Sequence, residues 1–205
     1  MPRPVQDHQV RIDEILDVAE PLFNTKGYRK TTVSDIARKL GVAQGMLYYY
    51  FKSKGEIAEA ILLRKLSFFM TKIEKEIYCD IHSAGKKLEY MINIIIQFID
   101  QNPRGLFQNM FREEEMLLIQ KRIFNRGIVS LKPHLLKIIA EGNQMGSFHT
   151  THPNIAISFF FSTLTCLCDA LFEENRDDLS SRLRMTECLI EKLFGMTENT
   201  ICLSL

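Results

Sequence analysis

Apolar residues recur every three or four positions along almost the whole chain, which is the spacing of helices that bury one face. No stretch shows the strict alternation of apolar and polar residues that is typical of strands. The pattern therefore predicts an all-α protein of about nine helices, with approximate ranges 7–24, 33–40, 43–51, 55–78, 83–101, 106–111, 113–142, 153–172 and 177–195.

Two of these helices have recognisable capping residues. Thr32 and Asp35 fit a capping box, in which the hydroxyl and the carboxylate each accept a hydrogen bond from an otherwise unpaired backbone N–H. Gly41 follows the last apolar position of the same helix and suits the left-handed conformation at a helix C-terminus. Ser53 and Glu56 predict a second capping box, which opens the long fourth helix.

Prolines mark the later boundaries. Pro103 ends the fifth helix, because proline constrains the residue before it. Pro133 lies inside the seventh helix and predicts a kink near Leu131. Residues 142–152 are expected to form a loop, and Pro153 suits the first turn of the helix that follows.

Residues 31–54 contain two short helices joined by a tight turn, and the second helix carries three consecutive tyrosines. A helix, a short turn with glycine and a second helix form the helix-turn-helix arrangement. At helical spacing, Leu47 and either Tyr48 or Phe51 can face a core. The other tyrosines must therefore contact something outside the domain.

Charge is distributed unevenly, although the net charge of the 205 residues is only +1. Residues 1–54 hold nine Lys and Arg against six Asp and Glu, whereas the rest of the chain holds 17 against 19. A basic head on a near-neutral body suits a protein that binds phosphate groups locally.

The cysteines and the apolar segments indicate a soluble protein of the cytoplasm. We expect the five cysteines to be buried free thiols, although a redox or metal-sensing role for Cys166 and Cys168 is an alternative. The longest apolar stretch, 155–171, contains polar residues and is shorter than the ~20 apolar residues of a membrane span. The five histidines form no catalytic or metal-binding pattern, so we expect no enzyme activity, metal or cofactor.

Residues 32–54 read T-V-x-D-I-A-x-x-x-G-V-x-x-G-x-L-Y-x-Y-F-x-x-K, a pattern that resembles the DNA-binding signature of the tetracycline-repressor (TetR/AcrR) family. The resemblance is dense over the first quarter of the chain and elsewhere extends only to length and helical pattern. It implies a helix-turn-helix DNA-binding domain at 1–54 and a helical effector-binding and dimerisation domain at 55–205.

In this interpretation, the second helix of the pair lies in the major groove of DNA. Gln44 is the candidate base reader, because its amide can form two hydrogen bonds with adenine. Gly45 permits close approach to the groove, and Met46 and Tyr48 can contact thymine methyl groups. The residues that we expect to contact phosphate are Thr32, Tyr49, Tyr50, Lys52 and Lys54.

Two positions depart from the family pattern. Ala43, also assigned to the interface, stands where family members often have Ser or Thr, and loss of that cap costs ~1 kcal/mol of helix stability. Tyr50 stands where a histidine is frequent, which removes a pH-sensitive donor.

The body is rich in Phe and Met, a composition that favours either a packed core or an apolar ligand pocket. The resemblance implies a pocket between the long helices. By position alone, we assign to its lining Phe68, Phe69, Phe98, Phe107, Met110, Phe111, Phe124, Phe159 and Phe160.

The last two helices have wide apolar faces, which suit either the core of one subunit or a symmetric four-helix contact between two subunits. The family resemblance implies the second. The residues assigned to this dimer interface are Leu164, Leu167, Leu171, Leu183, Leu189, Ile190 and Leu193.

The sequence therefore predicts a ligand-responsive transcriptional regulator. It is expected to be a repressor that binds a palindromic DNA operator as a homodimer and is released by a small apolar or amphipathic effector. The alternative is a constitutive helix-turn-helix regulator without an effector.

Overall fold

The computed structural model describes residues 8–78, 82–100, 106, 113–171 and 177–204. The all-α fold class is confirmed, since these residues form eight α-helices, one 3-10 turn and no strand. The helices are α1 His8–Lys26, α2 Val33–Leu40, α3 Gln44–Tyr50, α4 Lys54–Ile77, α5 Ala84–Asp100, α6 Leu117–Gln144, α7 Pro153–Leu171 and α8 Leu179–Phe194, and the 3-10 turn is Glu114–Met116.

The described residues divide into two compact units. The first takes its members from Met1–Leu66 and Arg104–Ile123, and the second from Ser67–Pro103 and Phe124–Leu205. The first unit therefore includes residues beyond position 54. The boundary between a DNA-binding and an effector domain at that position remains a prediction about function.

The core of the first unit is built on α1 and on a segment far along the chain. Ile15, Ala19 and Phe23 follow one another at helical spacing on α1 and are fully buried. They share a hydrophobic cluster with Leu47 of α3. The cluster is completed by apolar residues of α2, of the start of α4 and of the later segment, namely Ile36, Ile57, Ile61, Leu106, Met116, Ile119 and Ile123.

The predicted capping signals are found, one of them in altered form. The Thr32–Asp35 capping box is complete, and Gly41 has φ +73° at the C-terminus of α2. At the start of α4, Ser53 Oγ accepts a hydrogen bond from the Glu56 N–H at 3.1 Å. The Glu56 carboxylate, however, accepts from the N–H of Lys52 at 2.7 Å, one residue earlier than a capping box requires.

The structure corrects three expectations about the later elements. The predicted helix 113–142 begins with the 3-10 turn and then continues to Gln144, past both Pro133 and Gly142. Gly142 lies inside this helix, and the ring of Phe148 packs so closely against it that a Cβ at that position would lie 2.5 Å from the ring. Phe68, assigned by position to the lining of a ligand pocket, is 77% exposed on α4.

The expectation of buried thiols is only partly right. Among the described cysteines, Cys168 is buried, and burial raises the pKa of its thiol to about 12. Cys188 is half-buried, whereas Cys166 and Cys202 are exposed on the surface. Cys79 and the predicted short helix 106–111, apart from the buried Leu106, lie outside the described residues.

In the second unit, α7 packs along α8. Phe160 near the start of α7 lies 5.8 Å, between ring centroids, from Phe194 at the end of α8, so the two helices run antiparallel. In the described part of the chain, α7 is also the one helix whose length and apolar composition would suit a membrane crossing. The burial of 44% of that window fits a core helix equally well.

Residues 199–204, here called the C-terminal strap, lie against α5 and α8. Ile201 and Leu203 are buried, whereas the alternate residues Cys202 and Ser204 are exposed. Each backbone N–H of the strap donates to a side chain of one of the two helices; the acceptors are Glu89 and Asn93 of α5 and Glu187 and Glu191 of α8.

Candidate nucleic-acid interface

The start of α2 is fixed by reciprocal hydrogen bonds between Thr32 and Asp35. Thr32 Oγ1 accepts from the Asp35 N–H at 3.1 Å, and Asp35 Oδ2 accepts from the Thr32 N–H at 3.1 Å and from its hydroxyl at 3.0 Å. Both donors of Thr32 are thus occupied by Asp35. The predicted contact of Thr32 with phosphate would require at least one of them to be exchanged.

The pKa of Asp35 is lowered to about 2, chiefly because the backbone N–H and the hydroxyl of Thr32 stabilise its charged form. Lys26 also contributes, with its Nζ 3.4 Å from Asp35 Oδ1, and Arg38 forms an ion pair with the same oxygen. The carboxylate therefore stays charged over the whole neutral range and organises the basic residues around α2.

The side chains of α3 divide into an inward and an outward set. Leu47 is fully buried, and Phe51, just after the helix, is the second inward residue. Tyr48 is 49% exposed and Tyr49 is 76% exposed. Of the two alternatives for the inward position, the structure therefore selects Phe51 rather than Tyr48. Tyr50 is half-buried and packs against the core of the first unit.

Gln44 is held in place before any ligand binds. Its Oε1 accepts a hydrogen bond from the Ser34 hydroxyl of α2 at 2.8 Å, and its Nε2 donates to the Tyr48 hydroxyl at 3.4 Å. The amide thus presents one donor and one acceptor from an exposed, oriented position. This is the arrangement that a two-bond contact with adenine requires.

The beginning of α3 is open. Ala43 is the N-cap residue and its side chain forms no capping hydrogen bond. Gly45 is exposed, and a Cβ built on it would meet no atom within 4 Å. The space next to Gly45 is therefore free for an external partner, and Met46 beside it is half-buried.

The two lysines predicted to contact phosphate differ. Lys52 is exposed. Lys54 is half-buried, and its Nζ donates to the carbonyl oxygens of Tyr28 at 2.8 Å and Arg29 at 3.3 Å. The same ammonium lies 4.2 Å from the centroid of the Tyr28 ring. In this structure Lys54 joins α4 to the loop before α2.

Sequence reasoning overlooked three residues of this surface. Ser34 orients Gln44, Arg29 is exposed and pairs with Glu115 at 3.2 Å, and the His8 ring lies against Tyr50. The charge count of residues 1–54 could have singled out Arg29. No local signal could have found the contact between His8 and Tyr50, which are 42 positions apart.

The residues assigned to a ligand pocket are not all brought together. Phe69 and Phe98 lie together in the second unit, with their ring centroids 5.0 Å apart, and Phe160 is fully buried next to Phe194. Phe124 is half-buried, Phe68 and Phe159 are largely exposed, and Phe107, Met110 and Phe111 lie outside the described residues.

Most residues assigned to a dimer interface are covered within the single chain. The buried ones are Leu164, Leu167, Leu171, Leu183 and Ile190. Leu193 is half-buried, and Leu189 is the one that is largely exposed. The large apolar residues that α7 and α8 leave exposed are Leu189 and three residues that were not assigned to the interface, namely Ile155, Phe159 and Met185.

Comparison with known proteins agrees with this geometry. Residues 15–61 match the family described as bacterial regulatory proteins, tetR family. An HTH-type transcriptional regulator of Staphylococcus aureus (strain USA300) is 31% identical over 98 residues, which cover 48% of this chain and 51% of that protein. The chain thus spans about half the length of the curated relatives it matches.

Two solved structures are similar over nearly the full chain. The transcriptional regulator FadR from Bacillus subtilis, in complex with stearoyl-CoA, has a TM-score of 0.66 at 23% identity and covers 91% of this chain and 99% of its own. SmeT, the repressor of the Stenotrophomonas maltophilia multidrug efflux pump SmeDEF, has a TM-score of 0.67 at 20% identity and covers 98% and 97%. At these identities the likeness establishes the fold.

A capped α2, a tight turn at Gly41 and an α3 with an exposed polar and aromatic face form a helix-turn-helix motif. This motif lies within residues 15–61, the segment that is similar to the tetR family of bacterial regulatory proteins.

Proposed function

We propose that this protein is a transcriptional regulator that binds operator DNA through α3 and changes its DNA affinity when a small molecule binds elsewhere in the chain. One observation carries the DNA-binding role. The exposed face of α3 combines an oriented amide at Gln44, an unobstructed backbone at Gly45 and two exposed phenols at Tyr48 and Tyr49. An isolated domain gains nothing from leaving these groups exposed.

Each of these groups has a defined task on DNA. Gln44 reads an adenine through its amide, and Gly45 lets the N-terminal end of α3 enter the major groove. Tyr48 contacts a thymine methyl group, and Tyr49 donates its hydroxyl to a phosphate. Lys52 supplies charge at the edge of the surface, where its contact is independent of sequence.

The response to a small molecule rests on two supports. The second unit contains a contact between two aromatic rings, Phe69 and Phe98, on α4 and α5. The structurally similar FadR and SmeT were solved with stearoyl-CoA and triclosan respectively, both of which carry large apolar groups. An apolar or amphipathic effector that binds the conformation with weak DNA affinity more tightly than the DNA-binding conformation would lower the affinity for DNA.

We further propose that two subunits associate through α7 and α8. Ile155 and Phe159 of α7 and Met185 and Leu189 of α8 are apolar and exposed, which is unfavourable unless a partner covers them. The interface that we propose therefore uses these four residues rather than the buried leucines of the same helices. A two-fold dimer would place its recognition helices ~34 Å apart and would require a palindromic operator. This binding would take place in the cytoplasm.

The second candidate is a constitutive DNA-binding regulator without an effector. It is favoured by the burial of Phe160 against Phe194, since core packing alone accounts for these aromatic residues. The two candidates differ in a simple assay. Addition of long-chain acyl-CoA or triclosan to the protein–DNA complex releases DNA only in the first.

The proposed DNA-binding role is tested by mixing the purified protein with fragmented genomic DNA and sequencing the fragments that it retains. We expect a small set of fragments that share an inverted repeat. A variant with Gly45→Ala serves as the negative control. Its new methyl group meets no atom of the isolated protein but would obstruct the approach of α3 to DNA, so we expect this variant to retain no fragment. Recovery of the same fragments with that variant would contradict the proposal.

A further inference from the structure

A histidine outside the helix-turn-helix lies against the tyrosines of α3. The ring centroid of His8, at the start of α1, is 4.9 Å from that of Tyr50, with an interplanar angle of 44°. It is 6.4 Å from that of Tyr49 in an edge-to-face arrangement, and Tyr49 and Tyr50 are themselves 5.0 Å apart. The three rings form a continuous aromatic cluster at the C-terminal end of α3.

The outer side of this cluster is open to solvent. His8 is exposed and Tyr49 is 76% exposed, whereas Tyr50 is half-buried and packs inward on the core. Tyr50 therefore connects the cluster to the fold, and the other two rings face outward. Because Tyr49 is proposed to contact a phosphate, the imidazole beside it lies next to that proposed contact.

The charged and titratable groups recorded near His8 lie on α1 and α3. From α3 the titratable groups that face it are the phenols of Tyr49 and Tyr50. On α1, the next turn carries Arg11, which pairs with Glu14 at 2.6 Å. Among the described residues, the recorded ring contacts of His8 involve no carboxylate. A protonated imidazole here adds a positive charge on the same side as the tyrosines.

We propose that His8 is a further DNA-contacting residue, which in its protonated form donates a hydrogen bond to a backbone phosphate beside the one bound by Tyr49. This inference rests on the proposed DNA-binding function. Imidazole is the side chain whose charge ordinarily changes between pH 5 and 8, so proton uptake at His8 makes DNA binding tighter at lower pH. A protein dimer takes up at most one proton at each of its two copies of His8.

The test measures the affinity of the full chain for a retained genomic fragment by fluorescence anisotropy, at constant ionic strength between pH 6 and 8. We expect the affinity of the natural protein to fall by about threefold or more over this range, below the ceiling of tenfold per pH unit for each proton taken up. Tyrosine and lysine side chains ordinarily do not change charge in this interval.

Three variants separate charge from packing. His8→Phe keeps an aromatic ring. We expect this variant to bind DNA at every pH with the affinity that the natural protein has at pH 8, so that its affinity does not change with pH. His8→Lys keeps a positive charge, and we expect tight binding across the range. His152→Gln, which removes an exposed histidine of the second unit, is the matched control and should keep the full slope.

Two results would overturn this inference. In the first, His8→Phe keeps the pH slope of the natural protein. In the second, the Phe and Lys variants weaken binding equally at every pH, which would mean that the histidine acts only through packing. Either result, with DNA binding still abolished by Gly45→Ala, would reject the role of His8 alone. Failure of the natural protein to retain any fragment would reject the proposed function as well.

Discussion

Replacement of Glu191 should release the C-terminal strap. Glu191 lies on α8 and is 4% exposed. Its Oε1 accepts from the N–H groups of Thr200 at 2.6 Å and Ile201 at 2.9 Å, and its Oε2 accepts from that of Asn199 at 3.1 Å. One carboxylate therefore satisfies three of the six backbone donors of the strap.

The expected loss in the free energy of unfolding follows from the interactions that the strap loses in Glu191→Ala. Hydrogen bonds to a charged acceptor contribute about 1.5–3 kcal/mol each, so three of them would suggest a large loss. The strap can instead detach and hydrate its donors, and the loss is then limited to the free energy of docking. Burial of Ile201 and Leu203 contributes about 1.5–3 kcal/mol each to that docking. We expect Glu191→Ala to lower the free energy of unfolding by about 3–5 kcal/mol.

Glu191→Gln provides a graded comparison. Its remaining oxygen can still accept from Thr200 and Ile201, and its amide N–H₂ faces the N–H of Asn199. We expect a loss of about 1–2 kcal/mol for that variant. Glu198→Gln is the control, because Glu198 is exposed and directly precedes the strap, and it should change stability by less than about 0.5 kcal/mol.

The assay combines urea unfolding with amide hydrogen exchange. Unfolding measures the loss of stability, and exchange shows where it arises. In Glu191→Ala we expect the N–H groups of residues 199–204 to exchange at nearly unprotected rates while α5 remains protected. A stability within about 0.5 kcal/mol of the natural protein, with unchanged protection of the strap, would refute the reasoning.

Three further predictions follow from local geometry. Gly142→Ala should destabilise the protein by about 1–3 kcal/mol in thermal or urea unfolding, because its Cβ would lie 2.5 Å from the ring of Phe148. Gly45→Ala should instead leave stability unchanged or raise it by up to about 1 kcal/mol while it abolishes DNA binding, since the space that its methyl group enters is empty in the isolated chain. Asp35→Asn should reduce the loss of stability between pH 4 and 2 in acid titrations monitored by circular dichroism. The pKa of Asp35 is about 2 in the folded chain against an ordinary 3.8, so its contribution is present above pH 4 and is lost as the pH falls through the folded value.

The local features of the fold could be predicted from the sequence because short-range physics determines them. The capping box of Thr32 and Asp35 and the left-handed Gly41 depend on neighbours within four residues. The same is true of the burial of Leu47, which follows from helical periodicity. These features also define the helix-turn-helix, so the class of protein was predictable.

Contacts between distant segments were not predictable in this way. Lys54 was expected at phosphate but binds the carbonyls of Tyr28 and Arg29, 26 and 25 positions away. Wide apolar faces on α7 and α8 suggested an interface, yet Leu164 and Ile190 are buried within one chain and Phe159 is exposed. Periodicity identifies an apolar face, but it does not identify the partner that covers it.

The central claim is that α3 reads DNA sequence through Gln44, and the most direct test is a binding profile over every single base change in a retained operator. We predict that Gln44→Ala removes discrimination at one base pair in each half-site, worth about 1–3 kcal/mol, and leaves the other positions unchanged. Lys52→Ala is the matched control, which should weaken all sequences equally and reduce the dependence on salt. A Gln44→Ala profile that parallels that of the natural protein at every position would contradict the account.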